Sequence, residues 1–168
     1  MAVPVPHFEL ENAGTGASSF RLDDYLADEA VETVVLVLLR DHHCPRCRRQ
    51  VQDLAARYDE FVAEHALVVA VLPESIERAR TWQDAYELPY PLLADPNTTV
   101  ADELDQPTRF GAFGQLHDMI GRMPAALVVD VRGGKPELTY VYRGSMPGDR
   151  PTVDGLLAEV RSRSERSP

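Results

Sequence analysis

Residues 34–39, VVLVLL, form a continuous apolar run, and five residues later Cys44-Pro45-Arg46-Cys47 opens a segment whose apolar residues recur at helical spacing. Valine and leucine without polar alternation read as a strand buried on both faces. Beyond it, Val51, Leu54, Ala55, Tyr58, Phe61 and Val62 recur every three or four residues, one stripe of an amphipathic helix that Cys47 begins. The only two cysteines of the chain therefore stand at a strand-to-helix junction. Few folds accommodate that arrangement.

The rest of the chain follows the same logic. Apolar runs at 67–72, 125–131 and 138–142 predict three more buried strands. A helix is expected over 75–86, with Ile76, Ala79, Gln83 and Tyr86 in line, and another from the N-cap Thr152 through Val153, Leu156, Leu157 and Val160. Gly133, Gly134 and Pro136 punctuate the last two apolar runs, which predicts an antiparallel hairpin. A βαβ unit followed by a ββα unit is an α/β order, the layout of a thioredoxin-like domain. Residues 102–122 carry no strong period and are expected to be irregular and partly helical. One domain over 1–160 is expected, with the arginine- and serine-rich 161–168 as a disordered tail.

A net charge of -10 and a pI near 4.9 argue against nucleic-acid or anionic-membrane binding, which needs a basic face. No stretch approaches the roughly 20 apolar residues of a membrane helix, and the N-terminus has no basic region followed by an apolar run. The expected location is the cytoplasm, where a C-x-x-C pair is usually reduced and is read as catalytic or metal-binding. A disulfide closing so short a loop removes little entropy from the unfolded chain, so the pair is chemical rather than a staple.

Three chemistries could use RDHHCPRCRRQ: a metal clip, a dithiol that makes and breaks a disulfide, or a thiolate that attacks a peroxide. At a helix N-terminus the unpaired N–H groups, with Arg46, Arg48 and Arg49 nearby, favour a thiolate on Cys44. Pro45 costs no hydrogen bond in the first turn and holds it rigid. Cys44 is then the expected exposed nucleophile and Cys47, one turn inward, the resolving thiol. A zinc site would need His42 or His43 and a further ligand among the scattered His7, His65 and His117; no metal or cofactor is expected. His42 or His43 could shuttle a proton or add charge beside Cys44. Asp41 would oppose the thiolate unless it pairs with Arg40 or Arg122. Pro124, directly before a buried strand, is expected to be cis and to face the cysteine pair, leaving backbone groups for an extended disulfide substrate.

The opening PVPHFELENAGTGASSFRLDDYLADEAVETVVLVLLRDHHCPRC resembles the redoxin group of the alkyl hydroperoxide reductase and thiol-specific antioxidant family. It shares a P-x-F-x-L entry strand, a glycine turn, a short LDDYL segment and a strand running into the cysteine. LPYPLLADP resembles a turn in the family's next section, and with AALVVD and the hairpin the similarity covers about 4–160. The resemblance implies a three-layer α/β/α thioredoxin fold, a central mixed sheet, an N-terminal extension and a helical insertion. It also implies a redox-active thiol at Cys44, a peroxide or disulfide substrate, and a thioredoxin-like or small-thiol reductant. The family's peroxidases carry P-x-x-x-[TS]-x-x-C, where this chain has Val37 and Asp41 in place of the proline and the hydroxyl; an ionised carboxylate accepts hydrogen bonds but cannot donate them. Arg122 and Arg143 are candidates for the family's second arginine. The C-P-x-C pair itself points to disulfide exchange. The expectation is thus a peroxiredoxin-like oxidoreductase cycling a Cys44–Cys47 disulfide. The alternative is a non-catalytic module using the pair for metal binding or redox sensing and its surface for a protein partner. Nothing in the sequence marks an oligomer interface.

Overall fold

The computed structural model describes residues 5, 7–26, 28–100, 125–144 and 150–165. Seven strands form one mixed sheet: β1 (Glu9–Asn12), β2 (Ser19–Arg21), β3 (Thr33–Leu38), β4 (Ala66–Leu72), β5 (Leu92–Ala94), β6 (Ala125–Asp130) and β7 (Glu137–Arg143). Their order across the sheet is β2-β1-β5-β4-β3-β6-β7. The helices are α1 (Pro45–Ala56), α2 (Tyr58–Ala63), α3 (Ile76–Tyr86) and α4 (Val153–Ser164). β3 lies in the middle, parallel to β4 and antiparallel to β6, and all six of its residues are buried.

Period-two alternation divides the apolar runs between two faces. Val35, Val37, Val68, Ala70, Ala126 and Val128 pack toward Cys47, Leu54, Phe61, Trp82 and Leu157, so all four described helices cover this face. Val34, Leu36, Leu38, Val69, Val71, Leu127 and Val129 meet Phe20, Leu22 and Val100 on the other. The second face is thus covered, among the described residues, largely by the N-terminal extension. The segment 102–122, expected to be irregular and partly helical, lies outside the described residues.

The four expected strands and the hairpin form, with Gly133 and Gly134 at φ 77° and 78° in its loop, a left-handed geometry that glycine adopts without steric cost. Four features differ from expectation. β7, expected as a buried strand, has only half-buried and exposed residues. The long stripe after Cys47 breaks at Arg57 (φ -118°, ψ 18°) into α1 and α2, and Val62 is 53% exposed rather than buried. LPYPLLADP contains a strand, β5, which joins β4 in parallel to β1 in antiparallel fashion. And α4 runs to Ser164, into the segment expected to be a disordered tail.

That last turn is held because Arg163 is 1% exposed and lies 3.5 Å from Glu32 and 3.6 Å from Asp130. Ending the chain after Val160 removes this cation from two carboxylates and is expected to cost about 1–3 kcal/mol, measured by urea unfolding. An undiminished midpoint would show that the last turn of α4 contributes nothing.

Candidate active site

Cys44 is the N-cap of α1, in extended backbone (φ -66°, ψ 108°), and Pro45 takes the first helical position. Its sulfur accepts the Cys47 N–H at 3.1 Å, capping the helix as a serine or aspartate oxygen would. Cys47 Sγ accepts the Arg40 N–H at 3.3 Å, which ties the pair back to the end of β3. Tyr90, buried before β5, donates its hydroxyl to the Val51 carbonyl at 2.6 Å and fixes α1 against the sheet.

Arg150 closes the site. One guanidinium nitrogen, Nη2, lies 3.2 Å from Cys44 Sγ and 3.0 Å from Cys47 Sγ, while Nη1 donates to Gln50 Oε1 at 2.7 Å. Gln50 is a buried polar residue on the stripe that also carries Cys47, Val51 and Leu54. The fork geometry of arginine lets one side chain reach both sulfurs and the amide at once.

These contacts set the two thiols far apart. A hydrogen bond from the Cys47 side chain, with the Cys47 N–H and the Arg150 charge, draws Cys44 down to about 6 despite its burial and the opposing Asp41 carboxylate. The same hydrogen bond, reinforced by burial, pushes Cys47 up. At neutral pH Cys44 therefore lies on the thiolate side of its titration. Cys47 keeps its proton and presents it to its neighbour. The two sulfurs thus differ, Cys44 favouring the anion and Cys47 the protonated thiol.

The pair stands at the strand-to-helix junction that the sequence predicts, while its surroundings differ from expectation. Cys44 is 3% exposed and Cys47 0%, so the expected exposed nucleophile is buried beneath Arg150. The arginines beside the pair are not its partners. Arg48 turns to the His42 carbonyl, donating at 3.1 and 2.8 Å, and its guanidinium stands 5.3 Å from the Trp82 ring centroid. The Arg46 and Arg49 side chains make no hydrogen bond or ion pair among the described residues. Asp41 Oδ2 is 3.8 Å from Arg40 Nε, one of its two expected partners, and Oδ1 accepts the His43 N–H at 2.8 Å. The His43 side chain is exposed and its ring meets His42 edge-on. Burial, then the Arg48 charge, holds His42 below the usual imidazole range. Val37 is a wholly buried strand residue opposite Ala70 and Ala126. Arg143 sits at the exposed end of β7, and Pro124 and Arg122 lie outside the described residues.

Arg150 and Gln50 were missed. Gln50 left a signal, a polar residue inside an apolar stripe. Arg150 left a weaker one, two residues ahead of the Thr152 cap. No cluster of three or more His, Cys, Asp or Glu side chains suited to a metal ion forms among the described residues.

Comparison with known proteins agrees with this architecture. A candidate peroxiredoxin of Mycobacterium tuberculosis is 30% identical over 108 residues, 61% of this chain and 65% of that protein, so the match spans just under two thirds of the relative. Among solved structures, the peroxidoxin BcpB of M. tuberculosis superposes with a TM-score of 0.77 at 24% identity, covering 99% of this chain and 97% of the other. AhpC of Enterococcus faecalis gives 0.78 at 17% identity over 96% and 90%. Likenesses at these identities establish the thioredoxin-type peroxiredoxin fold. The AhpC/TSA family model matches residues 1–134, which hold β1 to β6 and α1 to α3, and the chain belongs to the AhpC/TSA family.

Proposed function

We propose that the protein is a thiol-dependent peroxidase that cycles a Cys44–Cys47 disulfide. The observation that carries this reading is the Cys44 sulfur, capped by the Cys47 N–H and reached by the Arg150 guanidinium, which makes it an anion at neutral pH. The thiolate attacks the distal oxygen of a peroxide, the O–O bond breaks, and the leaving alkoxide or hydroxide takes a proton from solvent to become alcohol or water, giving a Cys44 sulfenic acid. The Cys47 thiol then attacks that sulfur. Its proton leaves with the hydroxyl as water, and the disulfide remains. A dithiol or small-thiol reductant returns two electrons and two protons.

Peroxide is favoured over a protein disulfide because Cys44 is 3% exposed, which suits a small oxidant. A thiol so strongly acidified also speaks for catalysis over a non-catalytic module. A reducing compartment such as the cytoplasm suits a dithiol that must be re-reduced.

Rapid mixing of the reduced protein with hydrogen peroxide and, separately, with a protein disulfide tests the assignment. Peroxide is expected to react faster by at least a hundredfold, and a faster disulfide reaction would reassign the substrate. Cys44→Ser is expected to abolish turnover. Cys47→Ser is expected to retain the first oxidation, a serine hydroxyl still being able to donate to Cys44, and to stop at the sulfenic acid, which a dimedone-type probe labels. Turnover surviving in Cys44→Ser would refute the mechanism.

A further inference from the structure

A cavity of about 290 Å³ lies between α1 and the start of α4, beside the cysteine pair and separate from the sulfurs. Arg46, Arg49 and Arg150 line it together with the apolar Leu54, Val153 and Leu156; Asp53 also borders it, one turn beyond Arg49. Leu54 and Leu156 are buried. The pocket therefore joins a cationic part to a hydrocarbon one.

Of the three α1 arginines, Arg48 turns to the His42 carbonyl, while Arg46 and Arg49 are exposed. Arg57, Arg78, Arg132 and Arg161 each pair with a carboxylate, as befits a protein of net charge -10. Arg46 and Arg49, like the exposed Arg80, do not, among the described residues, although acidic side chains outnumber basic ones by 27 to 17. Spaced i, i+3 near the positive end of α1, they present two guanidinium groups to one side of the helix. They do not serve the sulfurs, which take their hydrogen bonds from Arg40, Cys47 and Arg150. Two cations without an ion-pair partner among the described residues, at a partly apolar pocket that Asp53 also borders, match an anion that carries its own hydrocarbon. At roughly 30 Å³ per water-sized group the space holds about ten heavy atoms, the size of an eight-carbon acid.

We propose that this pocket is a binding site for a medium-chain carboxylate, its headgroup taken by Arg46 and Arg49 and its chain by Leu54, Val153 and Leu156. Arg150 is wall to the pocket and partner to both sulfurs. A carboxylate bound there competes for the Arg150 charge, so occupancy is felt at Cys44. The site goes beyond the peroxidase reading and does not depend on it, because binding can be measured without any peroxide.

The test is calorimetric titration of the reduced, full-length protein with octanoate, octanol and acetate. Octanoate is expected to bind at least tenfold more tightly than either of the others, and the Arg46→Gln/Arg49→Gln double variant to lose at least tenfold of that affinity. Octanol binding as well as octanoate would reduce the site to apolar contact, and acetate binding as well would reduce it to simple ion pairing; either overturns the proposal. So would unchanged octanoate affinity in the double variant, whose folding is checked by circular dichroism. The second readout is alkylation of Cys44 by iodoacetamide at pH 6. Saturating octanoate is expected to slow it at least twofold in the native protein and to leave the rate in the double variant unchanged. No slowing in the native protein would overturn the coupling to Arg150.

Discussion

Replacing Arg150 with methionine is expected to raise the pH midpoint of Cys44 reactivity by about 1–2 units. The figure follows from the loss of a charge-assisted hydrogen bond, about 1.5–3 kcal/mol, at roughly 1.4 kcal/mol per pH unit. Cys44 starts from about 6, so at pH 6 the thiolate fraction, and with it the rate toward iodoacetamide, is expected to fall about 5–50-fold. The sign is fixed by the chemistry. Arg150 stabilises the anion, so its removal favours the thiol and shifts the profile toward alkali. Above pH 9 the iodoacetamide rate is expected to recover, and any shortfall that persists with peroxide alone measures contact between Arg150 and the oxidant. Arg150→Lys is expected to lie between, because an ammonium keeps the charge and loses the fork that spans Cys44, Cys47 and Gln50. An unmoved midpoint in Arg150→Met would remove Arg150 from the account of the thiolate.

Gly14→Ala is expected to destabilise the fold by about 2–4 kcal/mol, a fall in Tm of about 5–15 °C in a thermal scan. A methyl group at Gly14 would collide with the Tyr90 carbonyl oxygen and stand 2.6 Å from the Leu92 nitrogen, both backbone atoms that cannot swing aside. The same place is organised by Asn12, whose Oδ1 accepts from the Gly14 and Leu92 N–H groups at 2.8 and 3.0 Å. Relief of the clash must move β5 or the N-terminal hairpin, and Tyr90 carries the strain to α1 through its bond to Val51. Slower peroxide reaction should therefore accompany the lost stability. A Tm within 1 °C of the native value would show that the hairpin yields freely.

The parts of the fold legible in the sequence were those whose energetics are local and repetitive. β3, β4, β6 and β7 are continuous apolar runs, and Ser75 and Thr152 each accept an N–H three residues on, so strand and cap signals coincided with the structure. Short β5, three residues long, offers no such run and exists because β1 and β4 flank it. The break at Arg57 was hidden because apolar spacing continues through it. Arg57 instead ends α1 while its side chain binds Glu60 and, from α4, Asp154 at 2.7 Å. In the site, Cys44, Cys47 and Pro45 declared themselves by type and spacing. Arg150 could not, since its role arises from the docking of α4 on α1 and from no local pattern. Nearness in sequence favoured Arg46, Arg48 and Arg49, and helix geometry sends those three elsewhere.

The bond between Arg150 and Cys44 joins residues 106 apart. A chain emerging from the ribosome completes β3, α1 and β4 long before it has made the cation, and during that interval its cysteines lack one of the groups that make them reactive. Docking of Arg150, ahead of the final helix, is thus expected to complete the acidity of Cys44. An incomplete or misfolded chain carries thiols closer to ordinary ones, and the finished protein alone carries the full acidity of Cys44.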